Sequence, residues 1–193
     1  VNVALAGLPL SGKTCLFDAL SEGAVDSAAH PARPDRPNAA SVAVPDARLD
    51  WLHAHYATPK KVPVHLEWLD LPGLAPGRSD LESQNTQILE HLHRTDALVY
   101  VLRAFESDKV PGRVDPEADC AALAGEFLIA DLAVVERRME KVEAQMTKPV
   151  PNRDALQAER AFLDRCREAL EAEQPLQGVP ETEAERNILR NFA

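Results

Sequence analysis

The run Gly7-Leu8-Pro9-Leu10-Ser11-Gly12-Lys13-Thr14 fits the pattern GxxxxGK[ST] in full, directly after the apolar segment Val1 to Ala6. This feature constrains the fold more than any other, because its chemistry needs a fixed context: a buried strand, a tight loop and the first turn of a helix. Val1 to Ala6 ends at Gly7 as a buried strand should, and Lys13 to Leu20 reads as the start of a helix. The glycines let backbone N–H groups turn inward around a phosphate. Lys13 would reach the β- and γ-phosphates, and the Thr14 hydroxyl would ligate Mg2+. The helix N-terminus adds the positive end of its dipole. The predicted nucleotide-binding set is therefore Leu8, Pro9, Leu10, Ser11, Gly12, Lys13, Thr14 and the adjoining Cys15, the last a small packing residue whose oxidation would disturb the loop.

A second element supports the first. Val62 to Asp70 alternates and then becomes continuously apolar, which predicts a strand ending on Asp70. Leu71-Pro72-Gly73 follows, making a DxxG pattern. A carboxylate at such a strand end can hold a magnesium-bound water, and Gly73 can turn its N–H toward a γ-phosphate. DxxG alone is a weak signal, and Asp70 without the phosphate loop would read as a strand-end or N-cap carboxylate. With that loop upstream, Thr14 and Asp70 become the predicted metal ligands. The next residue is Leu74, where many GTPases carry a glutamine that orients the attacking water. Leucine cannot do so. Catalytic residues stay unassigned beyond the charge of Lys13 and the Gly73 contact.

The rest of the chain divides in two. Up to residue 118, strand and helix signals alternate, as in a parallel α/β sheet. Glu22 to Asn38, with prolines at 31, 34 and 37 and no periodicity, reads as a loop. Ser41 to Val44 is a short strand, and a helix capped by Asp46 runs to about His55. Asp80 to His93 is a helix, and Ala97 to Leu102 the clearest buried strand. His53/His55 and His91/His93 are spaced by two, so neither pair shares a helix face for metal binding. After Pro116, Leu128, Leu132, Val135, Met139, Val142 and Met146 form a heptad seam on a helix of about 30 residues, or about 45 Å. Pro149-Val150-Pro151-Asn152 breaks it, and Leu156, Leu163 and Leu170, with Cys166 between, mark a second helix. Two such helices make an antiparallel hairpin. The expected organisation is a G-domain core over 1–118, a helical coiled-coil hairpin over 119–174, and a helix over 175–193 that returns to the core.

Composition sets the outer bounds. The 193 residues carry a net charge of −10, which argues against a bulk electrostatic grip on nucleic acid. Sequence-specific nucleic-acid binding is not expected. Cys15, Cys120 and Cys166 show no metal-ligand spacing and fit a reducing cytoplasm. No run is long and apolar enough for a membrane span. The chain lacks an initiator methionine and stops within a pattern, so it reads as trimmed.

Taken together, the motifs resemble those of the YchF-type Obg-like ATPases, a branch of the translation-factor-related P-loop NTPases. The resemblance rests on Gly7 to Thr14, on Pro37 to Asp50 with its Val-Pro-Asp-Ala-Arg-Leu-Asp ending, and on Pro59-Lys60-Lys61. Asp70 to Leu74, Thr95-Asp96-Ala97 through Arg103-Ala104-Phe105, Val114-Asp115-Pro116 and Ala130 to Arg138 carry it further. It implies an α/β G-domain with a mostly parallel sheet and an inserted antiparallel helical hairpin. It also implies Mg2+-dependent hydrolysis of ATP, or of GTP, and an association with ribosomes. The apolar Leu74 agrees with this branch. Leu10 replaces the family's asparagine, and the family's switch threonine falls near Pro34, in a run without threonine. Those departures lead to an expectation of slow or lost hydrolysis. The family's base-reading motif and C-terminal TGS domain would follow Ala193, so the chain reads as a fragment. The alternative is a non-hydrolysing module that holds nucleotide and docks a partner through its hairpin.

Overall fold

The structure is a computed structural model and describes residues 1–25, 27, 29–110, 113–148 and 152–190. It falls into two compact units, Val1–Cys120 and Ala121–Ala193.

The first unit is built on one sheet with strands β1 (Asn2–Ala6), β2 (Asn38–Ala43), β3 (His65–Asp70) and β4 (Ala97–Tyr100). Their order is β2-β3-β1-β4. β1 is parallel to β3 and to β4. Its residues Val3, Ala4, Leu5 and Ala6 are buried, as expected for a strand flanked on both sides. Helix α1 (Lys13–Leu20) starts where the sequence predicts and buries Phe17 in the cluster with Leu5 and Ala40. Helix α2 (Ala47–Tyr56) begins after Asp46, whose side chain accepts a hydrogen bond from the Arg48 N–H at 2.9 Å, the predicted cap.

Several sequence expectations are corrected. The mostly parallel sheet stands, with β2 alone antiparallel to its neighbour β3, whereas β2 starts at Asn38, opposite Asp70, rather than at Ser41. β3 is shorter than predicted, starting at His65 just after Pro63, a residue with no N–H to donate. Helix α3 (Glu82–Leu92) starts later than Asp80, after a 3-10 turn over Ser79–Leu81. It places Asn85, Ile88 and Leu92 on its buried side. β4 is not the buried strand that its apolar run predicted. It lies at the outer position of the described sheet and pairs with β1 alone, leaving Leu98 and Tyr100 exposed.

Helix α4 (Pro116–Met146) has 31 residues and α5 (Arg153–Glu171) has 19. Every seam residue read from the sequence joins one core: Val135, Met139 and Val142 with Leu156, Leu163, Cys166 and Leu170, and Leu128, Leu132 and Met146 at its margin. Phe162 completes it, one position off the leucine repeat. Ion pairs Arg138–Glu159 at 2.6 Å and Arg160–Glu143 at 2.9 Å bridge the two helices. Helix α6 (Glu183–Arg190) adds Ile188 and Leu189 to the core, and Arg165 of α5 holds its Glu185 at 2.6 Å while lying over the Phe162 ring. The predicted break at 149–151 and the end of the last helix at 191 lie outside the described residues.

Burial in this core pushes the Cys166 thiol up to about 11, whereas Cys15 is exposed. Alkylation at pH 8, followed by mass mapping, should therefore label Cys15 in the folded chain. Cys166 should react only once denaturant has opened the core.

Candidate functional site

The pairing of β1 with β3 sets Leu5 opposite Asp70. The loop that leaves β1 at Gly7 and the carboxylate that ends β3 are thereby adjacent at the carboxyl ends of parallel strands, the usual ligand edge of an α/β sheet. The loop makes two left-handed turns, at Leu10 with φ 61° and at Gly12 with φ 100°. Glycine adopts this conformation freely, whereas a leucine there costs about 1 kcal/mol. The Leu10 side chain is exposed, so no buried contact holds it in that conformation.

Gly7 and Gly73 are required for close approach rather than for a turn. A Cβ on Gly7 would lie 2.5 Å from the Val101 carbonyl oxygen. One on Gly73 would lie 2.3 Å from the Pro9 nitrogen and 2.6 Å from the Leu8 carbonyl carbon. The glycine of DxxG, read from sequence as a mobile γ-phosphate contact, is here pressed against the backbone of the phosphate loop. Leu74 is fully buried, and its N–H donates to the Gly7 carbonyl at 3.1 Å. Besides lacking a polar group for water, its side chain faces the core.

Lys13 is almost wholly buried, and its Nζ donates to the carbonyls of Gly7 at 3.1 Å and Leu8 at 2.8 Å. Burial lowers its pKa to about 8, against the opposing pull of Asp70. Asp70 is fully buried, and its Oδ2 accepts a hydrogen bond from the Thr14 hydroxyl at 3.0 Å. Among the described residues its Oδ1, also buried, has no hydrogen-bond partner. Burial raises the Asp70 pKa, and the charge of Asp18 adds to the rise, while the Thr14 bond, the Lys13 charge and the polar side chain of Asn38 offset part of it. The Ser11 hydroxyl is likewise buried without a partner. Thus the predicted residues Gly12, Lys13, Thr14, Asp70 and Gly73 come together, while Leu10 and Cys15 expose their side chains beside them.

Two contributors were missed from the sequence. Asn85 of α3 clamps the segment after DxxG: its Oδ1 accepts from the Ala75 N–H at 3.1 Å, and its Nδ2 donates to the Ala75 carbonyl at 3.0 Å. Phe105 sets its ring 3.8 Å from where a Gly12 Cβ would stand. The buried Arg103 donates to the Phe105 carbonyl at 3.3 Å. The Arg-x-Phe motif was the available signal for the second pair. A lone asparagine on a helix gave none for the first.

These contacts lead to a stability test. Gly73→Ala should lower unfolding free energy by about 1–3 kcal/mol, because the loop backbone must shift to admit the methyl. Asn85→Ala should cost a similar amount, about 1–3 kcal/mol, by leaving the Ala75 amide and carbonyl unpaired. Urea denaturation of both variants checks this.

The comparisons with known proteins agree with the geometry. The 50S ribosome-binding GTPase family matches residues 2–148. The "Ribosome-binding ATPase YchF" of Bacillus subtilis is 33% identical over 195 residues, covering 100% of this chain and 52% of that protein. "Obg-like ATPase 1" of Caenorhabditis elegans is 33% identical over 192 residues, covering 98% of this chain and 48% of that protein. The solved structure of the Schizosaccharomyces pombe YchF GTPase superposes with a TM-score of 0.78 at 29% identity, covering 100% of this chain and 53% of that one. The chain spans about half the length of the curated relatives it matches. With the motif, the sheet order and the family match in agreement, this chain belongs to the 50S ribosome-binding GTPase family, and its YchF and Obg-like ATPase homologues carry the resemblance along its full length.

Proposed function

We propose that this chain is the phosphate-binding part of a P-loop NTPase that binds and hydrolyses ATP or GTP with Mg2+ and works at the ribosome. One observation supports this reading most strongly. The Thr14 hydroxyl and the Asp70 carboxylate meet at 3.0 Å, and the second carboxylate oxygen is buried with no hydrogen-bond partner among the described residues. An isolated buried carboxylate oxygen is unfavourable, and a hydrated cation would satisfy it. The donor set fits magnesium, which takes one or two protein oxygens and completes its shell with phosphates and water. Among the described residues no cluster of three or more His, Cys, Asp or Glu could hold a metal by itself.

In this reading the loop N–H groups between Leu8 and Cys15, Pro9 excepted, cradle the phosphates, and Lys13 turns its ammonium from the Gly7 and Leu8 carbonyls toward them. Thr14 and Asp70 would hold the metal, which would supply neutralisation of charge on the transferred phosphate. Catalysis is then positioning and electrostatic stabilisation. Gly73 keeps its place against Leu8 and Pro9 and offers an N–H there. Water must be oriented by backbone or by another group, since Leu74 is buried. The ribosome is the partner, by analogy with the names of the relatives, and the cytoplasm the corresponding compartment. Among the described residues no helix is long and apolar enough to cross a membrane. We also propose the division into a core over 1–118, a hairpin over 119–174 and a returning helix over 175–193.

The non-hydrolysing alternative is favoured by one observation. Where the family's switch threonine falls, Arg33 and Arg36 pair in a tight turn around Pro34 and Asp35, with no hydroxyl to reach a metal. Titration of ATP and GTP with Mg2+, followed by single-turnover phosphate release, separates the two readings. Lys13→Ala should weaken nucleotide binding at least about thirtyfold, the loss of a charge-assisted contact worth about 2 kcal/mol or more. Asp70→Asn should raise the Mg2+ concentration needed for binding. Binding without phosphate release would select the non-hydrolysing module, and binding of neither nucleotide would overturn both readings.

A further inference from the structure

The site around Asp70 carries more negative charge than Asp70 alone supplies. Asp18 lies four residues after Thr14 on α1, so the two side chains share one face of the helix. Helical side chains lean toward the N-terminus, which tilts Asp18 back toward the turn that carries Thr14. Thr14 in turn reaches Asp70 at 3.0 Å. The charge of Asp18 is felt at Asp70 and pushes its carboxyl further up.

Among the described residues neither carboxylate has an ion-pair partner. Lys13 acts on Asp70 only at a distance, since its Nζ is bonded to the carbonyls of Gly7 and Leu8. Asn38, opposite Asp70 in the β2–β3 ladder, is neutral and gives its Nδ2 to the His30 carbonyl. Asp18 Oδ1 accepts from the hydroxyl of the buried Ser27, which fixes the carboxylate without cancelling its charge. Asp70 is 0% exposed, and its Oδ1 has no hydrogen-bond partner among the described residues. Acids clustered on a solvated face need no explanation. A wholly buried carboxylate with an orphaned oxygen, near a second carboxylate held in place, is a different case, because both burial and the like charge are unfavourable. A hard divalent cation would relieve both.

We propose that Asp18 is a water-mediated partner of the cation site and lets this chain hold a hydrated divalent cation before any nucleotide arrives. The inference rests on the metal-binding reading above and extends it to the nucleotide-free chain. Thr14 and Asp70 would offer oxygens directly, and Asp18 would accept hydrogen bonds from the cation's water. Magnesium suits such a set, because it gives up water reluctantly and is held by one or two carboxylates. Asp18 is thus a positioning residue: it orients water and adds attraction, as carboxylates behind a metal's direct ligands do. The competing role is purely mechanical, with Asp18 only fastening Ser27 and its loop to α1.

The test is titration of the nucleotide-free full chain with Mn2+, the free ion being read by electron paramagnetic resonance. Physiological ionic strength screens the scattered surface acids, and Mg2+ is added as competitor. The chain should bind Mn2+ at a site that Mg2+ displaces and that Asp70→Asn abolishes. Asp18→Asn keeps an oxygen for Ser27 but loses the charge, and it should lower Mn2+ affinity about tenfold or more. Ser27→Ala keeps the charge and should lower affinity less than Asp18→Asn does. Circular dichroism checks that the variants fold. The unmutated chain can already overturn the proposal, by showing no Mn2+ binding or only binding that Asp70→Asn leaves unchanged. Unchanged affinity in Asp18→Asn, or an equal loss in Ser27→Ala, would overturn it in favour of the mechanical role. ATP titration at varied Mg2+ separates the two levels. If Asp70→Asn still raises the Mg2+ requirement there, the metal-binding reading survives the loss of this proposal; if it does not, both fall.

Discussion

The hydrogen bond between the Thr14 hydroxyl and Asp70 is the contact on which the site depends, and the sheet creates it. Because β1 and β3 are parallel neighbours with Leu5 beside Asp70, the phosphate loop and the end of β3 leave the sheet at the same edge. Lys13 and Asp70 are then buried together. Burial dominates both shifts, pulling the lysine down and pushing the carboxyl up, and the attraction between the two charges offsets only part of each. The free site therefore holds two charged groups away from water with incomplete compensation. That arrangement is unfavourable in the free chain, and a buried charge pair of this kind points to a ligand more than to stability.

The surrounding backbone leaves little room for adjustment. Gly7 lies against Val101, Gly73 against Leu8 and Pro9, and the Leu74 N–H holds the Gly7 carbonyl. Asn85 then fixes Ala75, so the segment after Asp70 is tied both to the loop and to α3. A displacement of the loop has to be transmitted through Gly73 to that segment. Leu10, left-handed and exposed, is the one loop residue whose conformation no buried contact explains. Its strain is tolerated because the loop's closure is fixed elsewhere, by the glycines and by Lys13 bonding to two carbonyls.

What was legible in the sequence follows from the range of each interaction. The phosphate loop, the start of α1, the Asp46 cap and the heptad seam are local patterns, and each stands where the residues placed it. β4 was misread because an apolar run does not record which face is covered: Leu98 and Tyr100 share one face and are exposed, whereas Val99, on the other, packs against the cluster of Leu5 and Phe17. That the sheet is mostly parallel was legible from the alternation of strands and helices, but not which strand departs: β2 runs antiparallel to β3, with α2 in the connection between them. Asn85 and the close approach of Gly73 depend on partners far along the chain, and no spacing rule records them.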